Sequence, residues 1–398
     1  MRVLFATTGG QGHFRPMVPL ARAVADSGHE VRVAAPASFA KHVAPTGLPH
    51  EPFDDADPGA LGAVFGALPS LSPQEANARV VREVFGRLDP VAALPAVTGL
   101  LAAWRPDVVV REPAEVASLV AAEAAGVPHV QVAIGLCSLT RTFVDELTGP
   151  LAELAAREGV ETDLAAAAAA EPVFTSVPPS FDDDREGAGV GDSVGDSSAH
   201  DAVAPVRYRI PAPRTPAPPL PAGGDPDAPL VYVSFGTVAA AQGVFDGTYS
   251  AAVDALAGVE ARALVTVGAH GDPEAWAPWP PNVRIERWWP QEAVMALAAA
   301  MVGHGGFGTT TLALGAGVPQ VVVPLFASDQ WVNARRVAEV GAGLALESGP
   351  GLAARLGDAV RAVLHEPRYR SAAQGMAEEM GRLPEPRAVV GDLLAHAR

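Results

Sequence analysis

Two histidines stand where a histidine can do chemistry. His13 follows the apolar run Val3-Leu4-Phe5-Ala6 and the turn Gly9-Gly10-Gln11-Gly12. At the carboxyl end of a strand, an imidazole can take a proton from an acceptor hydroxyl near neutral pH. On the residues alone, a structural or exposed histidine fits this place as well. The turn glycines do not make a dinucleotide fingerprint, because Arg15 stands where GxGxxG needs its third glycine. His304 ends a second apolar run and is followed by Gly305-Gly306-Phe307-Gly308, Thr309-Thr310-Thr311 and an Ala/Leu-rich helical pattern. A helix N-terminus exposes unpaired N–H groups and the positive end of the helix dipole, so this turn can hold a diphosphate. Glycines let the backbone approach it closely, and His304 with Thr309 or Thr310 can add donors. After Gly317-Val318-Pro319 comes an apolar strand, Gln320 to Leu325, and then the acid–amide pair Asp329-Gln330. That pair sits where a sugar's hydroxyls would be read, and Asn333 one turn on would support phosphate or loop.

The elements that must position these residues follow one pattern. A strand from Arg2 to Thr7, a helix from about Pro16 to Ser27 and a strand from Glu30 to Ala35 open the chain. Pro16 suits a first helical turn and Gly28 the position past a helix end. Residues 52–90 show weak periodicity and read as loops and short helices. A buried-type strand, Asp107 to Arg111, precedes a helix from about Ala114 to Ala125 and a strand from His129 to Ile134. Residues 181–202, FDDDREGAGVGDSVGDSSAHDA, are acidic and small, a composition that predicts a disordered loop. The Pro-rich stretch 205–229 reads as a stiff connector. From Leu230 the alternation resumes, with a helix near Phe245 to Ala257 and strands Ala263 to Val267 and Val283 to Arg287. Strand–helix alternation predicts an α/β fold with parallel sheets and right-handed crossovers. The tail from Arg368 reads as helical, with a break at Pro384 and Pro386.

Composition narrows the function classes. A chain of 398 residues exceeds one ordinary core, so two domains are expected. A net charge of −17 argues against a nucleic-acid partner, which wants a basic face. The single cysteine, Cys137, excludes an internal disulfide and fits a reducing cytoplasm, where it reads as a small buried residue. No uncharged apolar run reaches the roughly 20 residues of a membrane span, and no signal-peptide pattern opens the chain. The ten histidines and one cysteine show no zinc spacing, and the acidic run Asp182-Asp183-Asp184 lies in the disordered-type segment, so no metal or other cofactor is expected.

The run from His304 to Gln330 is similar to the nucleotide-sugar signature HGGxGTT…GVPQ…P…DQ of the family 1, UDP-glycosyltransferase-like enzymes, in their bacterial natural-product branch. Trp288-Trp289-Pro290-Gln291 matches that family's WxPQ, and Gly12-His13-Phe14-Arg15-Pro16 matches its GHxxP. Three motifs in the right order over nearly the whole chain make the resemblance specific. It implies the GT-B fold: two Rossmann-like domains facing each other across a cleft, the first (1–204) for the acceptor and the second (230–380) for the nucleotide sugar. Residues 381–398 would return to the first domain. His13 would be the base, oriented by Glu112, which stands after the strand where many relatives carry Asp. Glu115 is the fallback, and Asp107 lies at the wrong end of the strand. Trp288 would lay its face on the nucleotide base, with Trp289 turned to the core and Gln291 reaching the ribose or base. Ser234, Gly236 and Thr237, in SFGT, would face the diphosphate together with His304, Gly306, Gly308, Thr309 and Thr310, and Asp329 and Gln330 would hold the sugar.

Phe53, Phe65, Phe85, Leu136, Phe143 and Phe174 are candidate walls of an acceptor pocket, with core packing the competing role. The implied reaction is inverting and metal-independent. A sugar, a deoxysugar on dTDP by preference, moves to a bulky polyketide-like aglycone in the cytoplasm. The competing readings are a non-catalytic auxiliary homologue and a nucleotide-sugar epimerase. Monomer and homodimer both stay open.

Overall fold

The computed structural model describes residues 1–182, 204–211, 219–221, 223–236, 239, 245–268 and 271–397. They fall into two units, Met1–Pro211 with Leu383–Arg398, and Ala212–Arg382. In the first, seven strands run parallel: β1 (Arg2–Ala6), β2 (Glu30–Pro36), β3 (His50–Phe53), β4 (Val108–Arg111), β5 (His129–Val132), β6 (Val173–Thr175) and β7 (Val206–Arg207). Their order is β3-β2-β1-β4-β5-β6-β7. Strands such as Val108-Val109-Val110 are apolar on successive residues because both faces of the sheet are covered. One face packs Phe14, Met17, Leu20 and Val24 of the helix Gln11–Asp26, with Val389, Val390 and Leu393 from the chain's last turns. The other packs Leu94, Val97 and Leu101 with Leu119, Leu147 and Leu151.

Several expectations are corrected here. The first helix begins at Gln11, so Pro16 and Pro19 lie inside it and His13 sits on its first turn rather than in a flexible loop. The missing N–H groups of two prolines are tolerated because the apolar stripe Phe14, Met17, Leu20, Ala21, Val24 seats the helix on the sheet. Residues 73–104 form one continuous helical run with a π-helical stretch at Val80–Leu88. A π turn shifts the phase of the apolar face, which is why the 3.6-residue period was hard to see there. By length and composition this run could cross a membrane. Its residues Val81, Leu94, Val97, Leu101 and Trp104 are instead buried in the first unit's core.

Phe181 and Asp182, at the head of the acidic segment, are buried: Asp182 accepts from the Cys137 N–H at 2.9 Å and from Arg207 Nη1 at 2.9 Å. The rest of the expected disordered loop, 183–202, lies outside the described residues. The expected connector, 205–229, begins within the first unit. Val206 and Arg207 join the sheet as β7, Tyr208 is fully buried with its hydroxyl donating to the Pro16 carbonyl, and the unit boundary falls after Pro211. Residues 212–218 and 222 lie outside the described residues.

The second unit holds six parallel strands: β8 (Leu230–Ser234), β9 (Arg262–Thr266), β10 (Val283–Glu286), β11 (Ala300–Gly303), β12 (Gln320–Val322) and β13 (Gly343–Ala345), in the order β10-β9-β8-β11-β12-β13. In both sheets the chain moves outward one way and then restarts beside its first strand. That places a topological switch point between β1 and β4 in one unit and between β8 and β11 in the other. Outside the carboxyl ends of such strand pairs the loops part and leave a crevice, where open α/β sheets bind ligands.

Candidate active site

The first unit's switch point holds the histidine–carboxylate pair. Ala6 pairs with Arg111 in register, so the segments leaving β1 and β4 emerge side by side. His13 comes back over this point on the first turn of its helix, and its Nδ1 lies 3.1 Å from Glu112 Oε2. The Glu112 carboxylate is fully buried, and its Oε1 accepts from the Thr8 N–H and the Thr8 hydroxyl, both at 3.0 Å. Oε2 also accepts from the Ala114 N–H at 2.7 Å. Burial pushes this carboxyl's pKa up, but His13 and the backbone donors outweigh it and hold the group below its ordinary range. A buried anion with this many donors can stabilise an imidazolium next to it. The extra methylene of Glu over Asp therefore leaves the pair in contact. Glu115 turns away: it accepts from the Ser118 N–H and hydroxyl, and burial pushes its pKa up to about 7. Asp107 is at the opposite end of β4, accepting from the Arg2 N–H at 2.7 Å.

Of the expected pocket walls, two stand by this pair. The Phe85 ring is 5.5 Å from the His13 ring and 5.9 Å from Phe143. Phe65 is exposed on the helix Pro58–Ala67. The other three belong to the interior. Phe174 lies on β6 under the face covered by the chain's last turns, Phe53 closes β3 against the helical run 73–104, and Leu136 is fully buried. Two neighbours of the pair were missed. Thr8 carries a legible signal, since a hydroxyl two residues past β1 lies level with Glu112 once β1 and β4 are paired. Asp89 does not. It follows the π turn and is half-buried, and burial, then the nearby Glu112 charge, raises its pKa to about 6.

In the second unit the expected donor residues gather at the carboxyl ends of β8, β10, β11 and β12. His304 directly follows β11. Its ring is flanked by two glycines: a Cβ on Gly236 would lie 2.9 Å from it, and one on Gly306 only 2.5 Å. Gly236 also has φ +84°, a left-handed conformation that favours glycine. Burial lowers the His304 pKa to about 4, against the opposing pull of the Ser234 backbone. The ring is thus neutral at physiological pH, and its buried Nδ1 has no hydrogen-bond partner among the described residues. The helix Phe307–Gly315 starts at Gly306 without a side-chain cap, leaving its first N–H groups for a ligand. Gly308 is exposed with open space around it, Thr309 is half-buried, and Thr310 is buried.

Ser234 ends β8, and its hydroxyl accepts from Gln291 Nε2 at 3.3 Å, so these two predicted contacts support one another. Thr237 lies outside the described residues. Trp288 is 59% exposed, as a stacking platform must be, while Trp289 packs on the cluster of Leu230, Tyr232 and Leu264. Asp329 is half-buried in the first turn of the helix Ser328–Glu339. Gln330 departs from its expected role. It is buried, and its Oε1 accepts from the Leu325 and Phe326 N–H groups at 2.8 and 3.1 Å, so the acceptor end of its amide shapes the loop. Asn333 does the same, donating to the Gly305 carbonyl at 2.8 Å. Among the described residues no cluster of three or more His, Cys, Asp or Glu could hold a metal.

Comparison with known proteins shows the family. Two family models match, the erythromycin biosynthesis protein CIII-like C-terminal domain over residues 250–396 and its N-terminal counterpart over residues 70–191. The L-demethylnoviosyl transferase of Streptomyces niveus is 33% identical over 407 residues, covering 100% of this chain and 99% of that protein. The glycosyltransferase SnogD of Streptomyces nogalater superposes with a TM-score of 0.76 at 26% identity, covering 100% of this chain and 99% of SnogD. VinC, solved in complex with dTDP, gives the same TM-score of 0.76, identity of 26% and coverage of 100% and 99%. With two parallel α/β units and such relatives along its whole length, the chain belongs to the erythromycin biosynthesis protein CIII-like family, bacterial natural-product glycosyltransferases of the GT-B fold.

Proposed function

We propose that this glycosyltransferase moves a deoxysugar from dTDP to a hydroxyl on a bulky, largely apolar natural-product acceptor, inverting the anomeric carbon and using no metal. The observation that carries the reading is the His13 Nδ1–Glu112 Oε2 contact of 3.1 Å. With Nδ1–H donated to the carboxylate, Nε2 is the basic nitrogen. The acceptor's O–H proton passes to Nε2 as its oxygen bonds to the anomeric carbon. The bond from that carbon to the diphosphate oxygen breaks on the opposite face, and dTDP leaves with the electron pair. The uncapped helix Phe307–Gly315 and the half-buried His304 ring would meet the diphosphate's charge. Fixed dipoles of this kind do the work of a cation without reorganising. Trp288 supplies an exposed face for thymine, and Phe85 and Phe143 supply an apolar wall beside the base. The relatives support the donor class: VinC was solved with dTDP, and the Streptomyces niveus relative is named for a sugar transfer. The first unit would then serve the acceptor and the second the donor, in the cytoplasm.

Calorimetry with dTDP and UDP side by side tests the donor, and NMR of the product's anomeric proton tests inversion. Tight dTDP binding, an inverted product and turnover that survives EDTA are expected. A product with the donor's own anomeric configuration would overturn the mechanism, and UDP binding more tightly than dTDP would overturn the donor assignment.

A further inference from the structure

The Glu112 side chain has one more torsion to fix than an aspartate would, and an orienting carboxylate works only while its oxygens stay assigned. Four donors hold it. Oε2 takes the Ala114 N–H and faces His13, while Oε1 takes two donors from one residue, the Thr8 N–H and the Thr8 hydroxyl, each at 3.0 Å. Thr8 is buried, so these bonds are not traded for water. Its neighbour Thr7 faces the other strand, with its N–H donating to the Ala34 carbonyl of β2 at 3.0 Å. The chain leaving β1 thus ties to β2 through Thr7 and reaches across the switch point to Glu112 through Thr8. Hydrogen bonds to a charged group are the strong ones, and two converging on one oxygen set the plane of the carboxylate as well as its position.

We propose that Thr8 is a positioning residue for His13: by clamping Oε1 it keeps Oε2 on Nδ1 and holds the imidazole in the tautomer whose Nε2 is basic. The proposal rests on the reading of His13 as the base, and the test separates the two. The ¹⁵N signals of the imidazole ring, assigned by their loss in His13→Ala, report the tautomer ratio without any acceptor. Thr8→Val removes the hydroxyl at nearly constant volume and keeps the backbone N–H, Thr8→Ser restores the hydroxyl, and Thr8→Ala is a second hydroxyl-free variant should the valine not fold.

The Nδ1–H form is expected to dominate in the wild type. Its ratio to the Nε2–H form should fall about tenfold in Thr8→Val or Thr8→Ala and return in Thr8→Ser. In a Glu112→Ala background, Thr8→Val should change nothing further, because a clamp with no carboxylate has nothing to hold. A ratio within twofold of wild type in both hydroxyl-free variants, or an equal shift in the Glu112→Ala background, would overturn the proposal. Turnover of 4-methylumbelliferone with dTDP-glucose runs alongside. If His13→Ala keeps the wild-type rate, the base assignment falls, whatever the tautomer ratio shows about Thr8.

Discussion

Glu112→Gln is the sharpest single perturbation of the proposed base. It changes one oxygen to an NH₂ and leaves the volume almost untouched. Oε1 can still accept both Thr8 donors, but the NH₂ then meets the Ala114 N–H, which now donates to Oε2 at 2.7 Å. Flipping the amide only moves the clash of donors to Thr8. The larger loss is charge. Coulomb's law at an effective dielectric of about 20 puts an opposite unit charge 3.1 Å away at about 5 kcal/mol. The His13 side chain is 23% exposed and the amide keeps a dipole, so roughly 3–4 kcal/mol should survive as lost imidazolium stabilisation. That is about 10²- to 10³-fold in kcat. Product formation at saturating donor measures it, and calorimetry with dTDP serves as the control. The Kd for dTDP should stay within about twofold, because every donor residue named above lies in the other unit. If kcat holds within threefold of wild type, the carboxylate does not stabilise the base and the reasoning fails. If kcat and dTDP affinity fall together, the variant has damaged the fold and the comparison passes to Glu112→Asp, which keeps the charge.

Three further outcomes are expected. Since burial lowers the His304 pKa to about 4, a diphosphate beside it should draw a proton onto the ring. Binding of dTDP at pH 6 should then take up protons, read from calorimetry in buffers of different ionisation enthalpy, and His304→Ala should abolish the uptake and weaken binding at least tenfold. The same ring makes the protein acid-sensitive: with a folded pKa below the unfolded 6.5, the unfolded chain binds the proton first. Stability should fall as pH drops from about 6.5 to about 4, by about 3 kcal/mol, and the slope should flatten in His304→Ala melts. Asp182→Ala removes the buried carboxylate that pairs with Arg207 and accepts from the Cys137 N–H and should cost about 3–5 kcal/mol. A thermal melt unchanged by that substitution would show that the head of the acidic segment carries no stability.

The proposed donor side was legible because its chemistry is written in consecutive residues. A strand, a glycine turn and a threonine-bearing helix start are local, and the structure places His304, Gly306 and Thr309 between the end of β11 and the first turn of the next helix. What sequence missed there is direction. Gln330 has the right residue type at the right spacing, yet its Oε1 is spent on the Leu325 and Phe326 N–H groups, and only packing decides that. The acceptor side was less legible because its parts come from distant segments. Glu112 was found by its place after a strand, but Asp89 and Phe85 depend on a π turn that shifts the register of a long helix, and no local pattern marks it. Aromatic type alone could not tell Phe85, beside the base, from Phe174, which is core. Charge was a poor guide at Asp182, where one buried aspartate heads a run that reads as solvent-loving throughout.

The return of residues 383–398 to the first unit has a consequence for biogenesis. The second unit is an insertion in the first, and the first unit's core needs Val389, Val390 and Leu393 on the sheet face beside Met17 and Leu20. Chains commonly fold domain by domain as they leave the ribosome, the N-terminal one first. Here the inserted unit can finish while the earlier-made one still shows water an apolar strip along its first helix. That strip stays open until residues 389–393 have been made, so the nascent chain exposes apolar surface throughout the synthesis of the inserted unit. Closing so long a loop adds little entropy cost, since that cost grows only logarithmically with length. The delay is one of timing, and slow translation of the second half would prolong it.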